Sequence, residues 1–121
     1  MSEFISLQEA VDMTTQYRNE KENILIPARQ GQNILPNCET FSRAQIDMLL
    51  AKPDCTGIRI YYGMKPDFKV YTIIVAVDSQ NRNILPPSGK SMVQSVDDDI
   101  VERGTRCPPD CPPSSPLDNG L

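Results

Sequence analysis

Apolar positions near the start of the chain fall into a helical rhythm. Leu7, Ala10, Val11, Thr14 and Tyr17 recur at intervals of three and four, which places them on one helical stripe. Ser6 precedes the stripe with Glu9 three residues on, the spacing of a capping box, and Ile5 and Ala10 take the staple positions. The apolar pattern stops at Tyr17. Beyond it Arg18 to Asn23 is polar, and Ile24-Leu25-Ile26-Pro27 reads as a short extended piece closed by its proline. Loop is expected from Ala28 to Glu39. The same signals return at Ser42, with Gln45 at the capping-box position, Phe41 and Ile46 as staple, and Ile46, Leu49 and Leu50 on one face; Pro53 ends this second helix at Lys52 or earlier.

After Gly57 the period shortens to two. Ile58, Ile60 and Tyr62 share one face of a strand while Arg59 and Tyr61 share the other, and a turn through Gly63 to Asp67 leads to a longer run, Lys69 to Val77. There Tyr71, Ile73, Val75 and Val77 line one face and Val70, Thr72, Ile74 and Ala76 the other. With both faces largely apolar, the run predicts a central strand. Asp78 to Asn83 is rich in turn formers, and Ile84-Leu85 starts a third strand that Pro86-Pro87 ends. Ser88 to Ser95 reads as loop. Val96 to Glu102 reads as a short helix with Asp97, Asp98 and Asp99 in its first turn and Gly104 past its end. Asn-Ile-Leu-Pro occurs at 33 to 36 and again at 83 to 86, but nothing around it aligns, so it marks no internal repeat.

The predicted fold is α+β: two N-terminal helices packed on a three- or four-stranded antiparallel sheet. Residues 1–106 form the single domain and 107–121 a Pro-rich C-terminal tail packed on it. Five of the eleven prolines fall in that tail, a composition that favours polyproline II over α-helix.

Composition narrows the chemistry. The chain has 121 residues, and Leu, Ile, Val and Phe make up 29 of them, enough for one folded core. It contains no His, which removes imidazole-based nucleophile activation and the ordinary His-containing zinc sites. A net charge of −4 with scattered basic residues argues against nucleic acid and against membrane-surface binding. No segment approaches the roughly 20 apolar residues needed to span a bilayer. Met1 to Val11 is acidic and has no apolar run of the signal-peptide kind, so the chain reads as cytoplasmic, and its four cysteines are expected as thiols.

Cys107 and Cys111 are the most distinctive pair. An all-cysteine zinc site would recruit Cys38 and Cys55 to them, although the spacing lacks the two close pairs usual in such sites. A disulfide or redox pair is the other alternative, and buried thiols that hold the tail to the domain the simplest one. Prolines at 108 and 112 and the absence of a nearby imidazole speak against a catalytic thiol. Asp78-x-Gln80-x-Arg82 has the opening spacing of a calcium loop, but Arg82 stands where an oxygen ligand belongs, which favours a polar hairpin. The Asp97 to Asp99 run suits a helix start better than a magnesium site. Arg59, Tyr61 and Tyr71, with Tyr62 nearby, form a candidate anchor for a partner, set against plain cross-strand packing. Pro109-x-x-Pro112 and Pro113-x-x-Pro116 have the spacing of polyproline ligands, which makes Pro109, Pro112 and Pro113 candidate binding residues.

Gly57-Ile58-Arg59-Ile60-Tyr61-Tyr62-Gly63 and Cys107-Pro-Pro-Asp-Cys111-Pro-Pro-Ser-Ser-Pro116-Leu117 together resemble a family of small uncharacterised proteins from Bacteroidetes-type bacteria. In that family a similar N-terminal helix, a second helix ending near Pro-x-Cys, and a Cys-Pro-Pro tail occur in this order. The resemblance covers most of the chain and is most specific in the tail. It supplies no activity, cofactor or catalytic residue, and implies a bacterial, cytoplasmic, stand-alone domain. The expectation is a small non-enzymatic protein-interaction module with an unknown protein partner and no cofactor. A thiol-based redox or zinc module built on Cys107 and Cys111 is the alternative. A carboxylate enzyme using Asp67, Asp78 or the Asp97 to Asp99 run would need two of these groups to converge.

Overall fold

Ser6 and Ser42 each accept a backbone N–H from the residue three positions on, and each starts a helix where the local signal places it. The structure, a computed structural model, describes residues 4–86, 100–102 and 104–120. Along the chain run α1 (Leu7–Glu20), a 3-10 turn (Pro27–Arg29), β1 (Cys38–Thr40), α2 (Arg43–Leu50), β2 (Cys55–Met64), β3 (Val70–Asp78), β4 (Asn83–Ile84), β5 (Ile100–Val101), β6 (Thr105–Cys107) and α3 (Pro116–Asn119). The architecture is α+β, with an antiparallel two-stranded sheet, β1 with β6, and a four-stranded sheet around β3. No helix among the described residues is long and apolar enough to cross a membrane. Two compact units are built from these elements: Glu39–Thr105, and Met1–Cys38 together with Arg106–Leu121.

The Glu39–Thr105 unit follows the sequence pattern closely. α2 opens with a full capping box: the Gln45 N–H donates to Ser42 Oγ at 3.2 Å, and the Ser42 N–H donates to Gln45 Oε1 at 3.3 Å. Leu49 has no exposed surface and packs with Ile74, Ala76 and Val101, flanked by Phe41, Ile46, Cys55 and Ile84. Leu50, expected on the same face and the last residue of the helix, is half-exposed. β3 is central, as its two apolar faces predict: β2 pairs along its length, and β4 and β5 pair with Ala76–Val77 and Ile74–Val75. The register opposes Ile58 to Ala76, Ile60 to Ile74 and Tyr62 to Thr72, so these share the face that carries the core.

The stretch from Val96 is where the expectation of a helix fails. Its first residues, with Asp97 to Asp99 and the Ser88 to Ser95 loop, lie outside the described residues, but Ile100–Val101 is a strand. Pairing with β3 satisfies backbone groups of that strand beyond the end of β4, and it buries Val101 in the core, which outweighs a weak local preference.

The Met1–Cys38 and Arg106–Leu121 unit buries fewer apolar side chains. On α1 only Val11 is fully buried; Leu7 and Tyr17, on the predicted stripe, are exposed. Ile24 and Leu25 form turn and bend, and only Ile26, next to Pro27, is extended, so the expected extended piece shrinks to one residue; Ile24 and Ile26 are exposed. What orders the next segment is polar. Four consecutive carbonyls, from Asn33 to Pro36, accept hydrogen bonds from side chains: Arg106 donates to Asn33 O at 2.6 Å and Ile34 O at 2.8 Å, Lys21 to Leu35 O at 3.0 Å, and Tyr17 Oη to Pro36 O at 2.7 Å. Asn33 itself has φ of 56°, a left-handed turn that asparagine tolerates. The Asn37 N–H continues the series to Cys107 O at 2.7 Å.

Candidate functional site

The tail does not run as one extended polyproline segment. Its first part doubles back: the Asp110 N–H donates to Arg106 O at 2.9 Å, and Cys107 and Cys111, with Cα atoms 4.5 Å apart, form a disulfide. The expectation of four thiols is therefore corrected for this pair. The chain reversal carries the two sulfurs into bonding range, which spacing alone did not reveal. The Cys107–Pro108 and Pro108–Pro109 peptide bonds are cis. Pro116 then occupies the first turn of α3, where its missing N–H costs nothing, and the helix closes with the Gly120 N–H donating to Pro116 O at 2.8 Å. A four-residue helix thus stands where none was expected, and Pro109 and Pro116 sit in a turn and a helix start rather than in two PxxP ligands.

α3 packs against α1, and Arg18 fastens it by donating to Leu117 O at 2.6 Å. The fold of the tail over α1 leaves a cleft of about 660 Å³, within the range of small-ligand and side-chain pockets. Tyr17, Pro112, Pro113 and Leu117 supply much of its wall, and all of Cys38, Cys107 and Cys111 line it. Most of the lining is carbon. Its two charged residues are engaged within their own wall: Arg18 also donates to Thr15 Oγ1 at 3.3 Å, and Asp118 accepts from Ser115 Oγ at 2.6 Å. Cys107 is buried and Cys111 exposed.

Beside the cleft, Lys21 reaches the 33–36 loop from the end of α1. Burial lowers its pKa from the usual lysine range; Glu22 opposes this and the Arg106 charge adds to it. Arg106 is itself buried, at 8% exposure, with two carbonyls as partners. Neither residue stood out in the sequence. The one available signal is that Arg106 stands directly before the first tail cysteine.

The other candidate residues lie in the Glu39–Thr105 unit. Arg59, Tyr61 and Tyr71 share a face of the sheet, while Tyr62 lies on the opposite face and is 76% exposed. Arg59 donates to Asn83 Oδ1 and to the carbonyl and side chain of Asn81, and Asn83 Nδ2 donates to Tyr61 Oη at 2.7 Å. The Asn83 bond, with Arg59 contributing, holds the Tyr61 phenol below its usual pKa. Lys65 Nζ stands 4.1 Å from the centroid of the Tyr71 ring. The guanidinium thus buttresses the turn between β3 and β4. Asp78 caps the same turn, accepting the Gln80 and Arg82 N–H groups on Oδ1 and Arg82 Nε on Oδ2, all between 2.9 and 3.0 Å. These bonds hold its carboxyl below the usual carboxylate range, the Arg82 backbone N–H contributing most. Asp67 caps a turn of its own, accepting the Lys69 N–H at 3.0 Å.

The four cysteines do not gather. Cys107 and Cys111 are bonded to each other, Cys38 and Cys55 remain reduced, and among the described residues no group of three or more His, Cys, Asp or Glu is placed to hold a metal. Compared with family models, curated proteins and solved structures, the chain matches none.

Proposed function

We propose that this chain is a non-enzymatic protein-interaction module that takes an apolar side chain of a protein partner into the cleft between α1 and the disulfide-held tail. The observation that carries this is the cleft itself: mostly carbon-lined, of side-chain size, with its charged groups already engaged. The tail is favoured over the Arg59, Tyr61 and Tyr71 face because the Arg59 donors are committed to Asn81 and Asn83. The proposal includes a bacterial cytoplasm, supported by the resemblance of the tail. Affinity capture from the host compares the wild-type chain with Pro113→Glu and Ser114→Arg, two exposed changes at the cleft. A partner retained by wild type and lost with both variants, at unchanged melting temperature, supports the proposal. Identical captures with all three sink it.

A second reading follows from the disulfide. Cys38 lines the same cleft as Cys107 and Cys111, so a thiol–disulfide module is chemically available. The Cys38 thiolate attacks the Cys111 sulfur, a Cys38–Cys111 bond forms, and Cys107 leaves as thiolate. Alkylation of the native chain followed by peptide mapping distinguishes the two. A Cys38–Cys111 species supports exchange; a sole Cys107–Cys111 linkage at every pH from 6 to 9 rules it out.

A further inference from the structure

The longest strand among the described residues lies at the edge of its sheet. β2 runs ten residues, Cys55–Met64, and pairs with β3 on one side; among the described residues nothing pairs with its outer side. Exposed strand edges are ordinarily blocked by proline, by lysine or by short length. β2 has none of these; its one irregularity, a register shift between Cys55 and Gly57, lies at its start and leaves Ile58 to Met64 regular. Its one charged residue, Arg59, is turned into the Asn81 and Asn83 carbonyl and amide groups, so the edge carries no charge of its own.

The side chains on its core-bearing face are large and open to solvent: Ile58 41%, Ile60 49%, Tyr62 76% and Met64 62% exposed. α2 packs on β2 and β3, and its Met48 and Leu50, 47% and 51% exposed, add to the apolar surface. A run of this kind marks an interface rather than an ordinary surface.

We propose that two copies of this chain pair antiparallel through β2, joining their four-stranded sheets into one. This is independent of the cleft and its partner. A second copy is the occupant that the observations favour, because the edge is its own complement. A two-fold axis at Ile60 places Ile58 beside Tyr62 of the second copy and Arg59 beside Tyr61 of the second copy, so like charges do not meet. The chain's net charge of −4 makes association between copies unfavourable at most surfaces, and β2 contains no acidic residue. The axis pairs Thr56 to Met64 with their counterparts, a seam of about 30 Å, which places the interface at the small end of specific contacts.

Sedimentation velocity on the full chain tests this across about 1 to 500 μM, the range a small interface requires. The wild type is compared with Tyr62→Lys, Ile60→Lys and Pro113→Glu. The expected result is a monomer–dimer equilibrium whose dissociation constant rises at least about tenfold in both lysine variants and is unchanged in Pro113→Glu. Tyr62 is the more exposed of the two and keeps the test sound if Ile60→Lys loses stability. Hydrogen exchange on the wild type supplies a second readout: alternate β2 amides gain protection as concentration rises. A monomer throughout the range, a dimer insensitive to Tyr62→Lys, or a dimer broken by Pro113→Glu alone overturns the proposal.

Discussion

Leu49 is wholly enclosed by Ile74, Ala76 and Val101, whereas the most buried side chains of the unit that holds the tail are Val11, Ile34, Cys107 and the charged Arg106. The first arrangement is a conventional core in which helix and sheet cover each other's apolar faces. The second relies on directional bonds: side chains that saturate the carbonyls from Asn33 to Pro36, Arg18 on Leu117 O, and one disulfide. Apolar burial tolerates small shifts in position, while a buried carbonyl that loses its donor bears the whole desolvation cost. The comparison teaches that a small unit with few apolar residues can be ordered by satisfying one loop's backbone, and that its stability then rests on a few named donors.

The largest effect separating the two kinds of order is expected from Leu49→Ala. Removing a fully enclosed side chain costs about 3–5 kcal/mol, and segment-resolved hydrogen exchange shows the loss in β2 and β3 before α1. Arg106→Met works in the opposite direction. It retains the volume but strips the donor from Asn33 O and Ile34 O, at a cost of about 2–3 kcal/mol, with protection lost in the Asn33 to Asn37 loop and α1. If this variant instead melts like wild type, the polar account of that unit is wrong.

Replacing both Cys107 and Cys111 by serine releases a five-residue loop, for which chain entropy gives about 2 kcal/mol, read as a lower urea midpoint for the α1 and tail segments. The cleft should lose its wall with it. The smallest effect is expected at Asp78. Its carboxyl is held below the usual value in the folded chain, so the stabilisation is fully present above about pH 4 and is lost as pH falls through the folded value. Asp78→Asn should flatten the urea midpoint between pH 5 and pH 2 relative to wild type, and a variant with an unaltered profile would remove the turn cap from the account.

Local signals were legible. Ser42 with Gln45 and Phe41 with Ile46 lie within five residues of one another, so their capping and stapling depend on little else. The alternation across Lys69 to Val77 announced a central strand for the same reason. Ile100 and Val101 are too short a run to carry a period, and pairing with β3 beyond β4 is what makes them a strand. Alternation alone puts Tyr62 on the face opposite Arg59 and Tyr61, and the register keeps it there, apart from Tyr71 as well. The tail's composition was plain, yet its disulfide turn and the helix after Pro116 depend on α1 as a platform and on two sulfurs meeting across a reversal.

By itself the sequence determined the α+β class, the two capped helices, the central strand and the exclusion of imidazole chemistry, because periodicity, capping and composition act within a few residues. Only the tertiary structure decided that Arg106 joins Lys21 on the carbonyls of a loop about 70 residues away from it in the chain, that Cys107 bonds Cys111, and that a cleft opens between tail and helix. Those outcomes are set by which buried polar group finds a partner, and that depends on groups brought together by the whole fold.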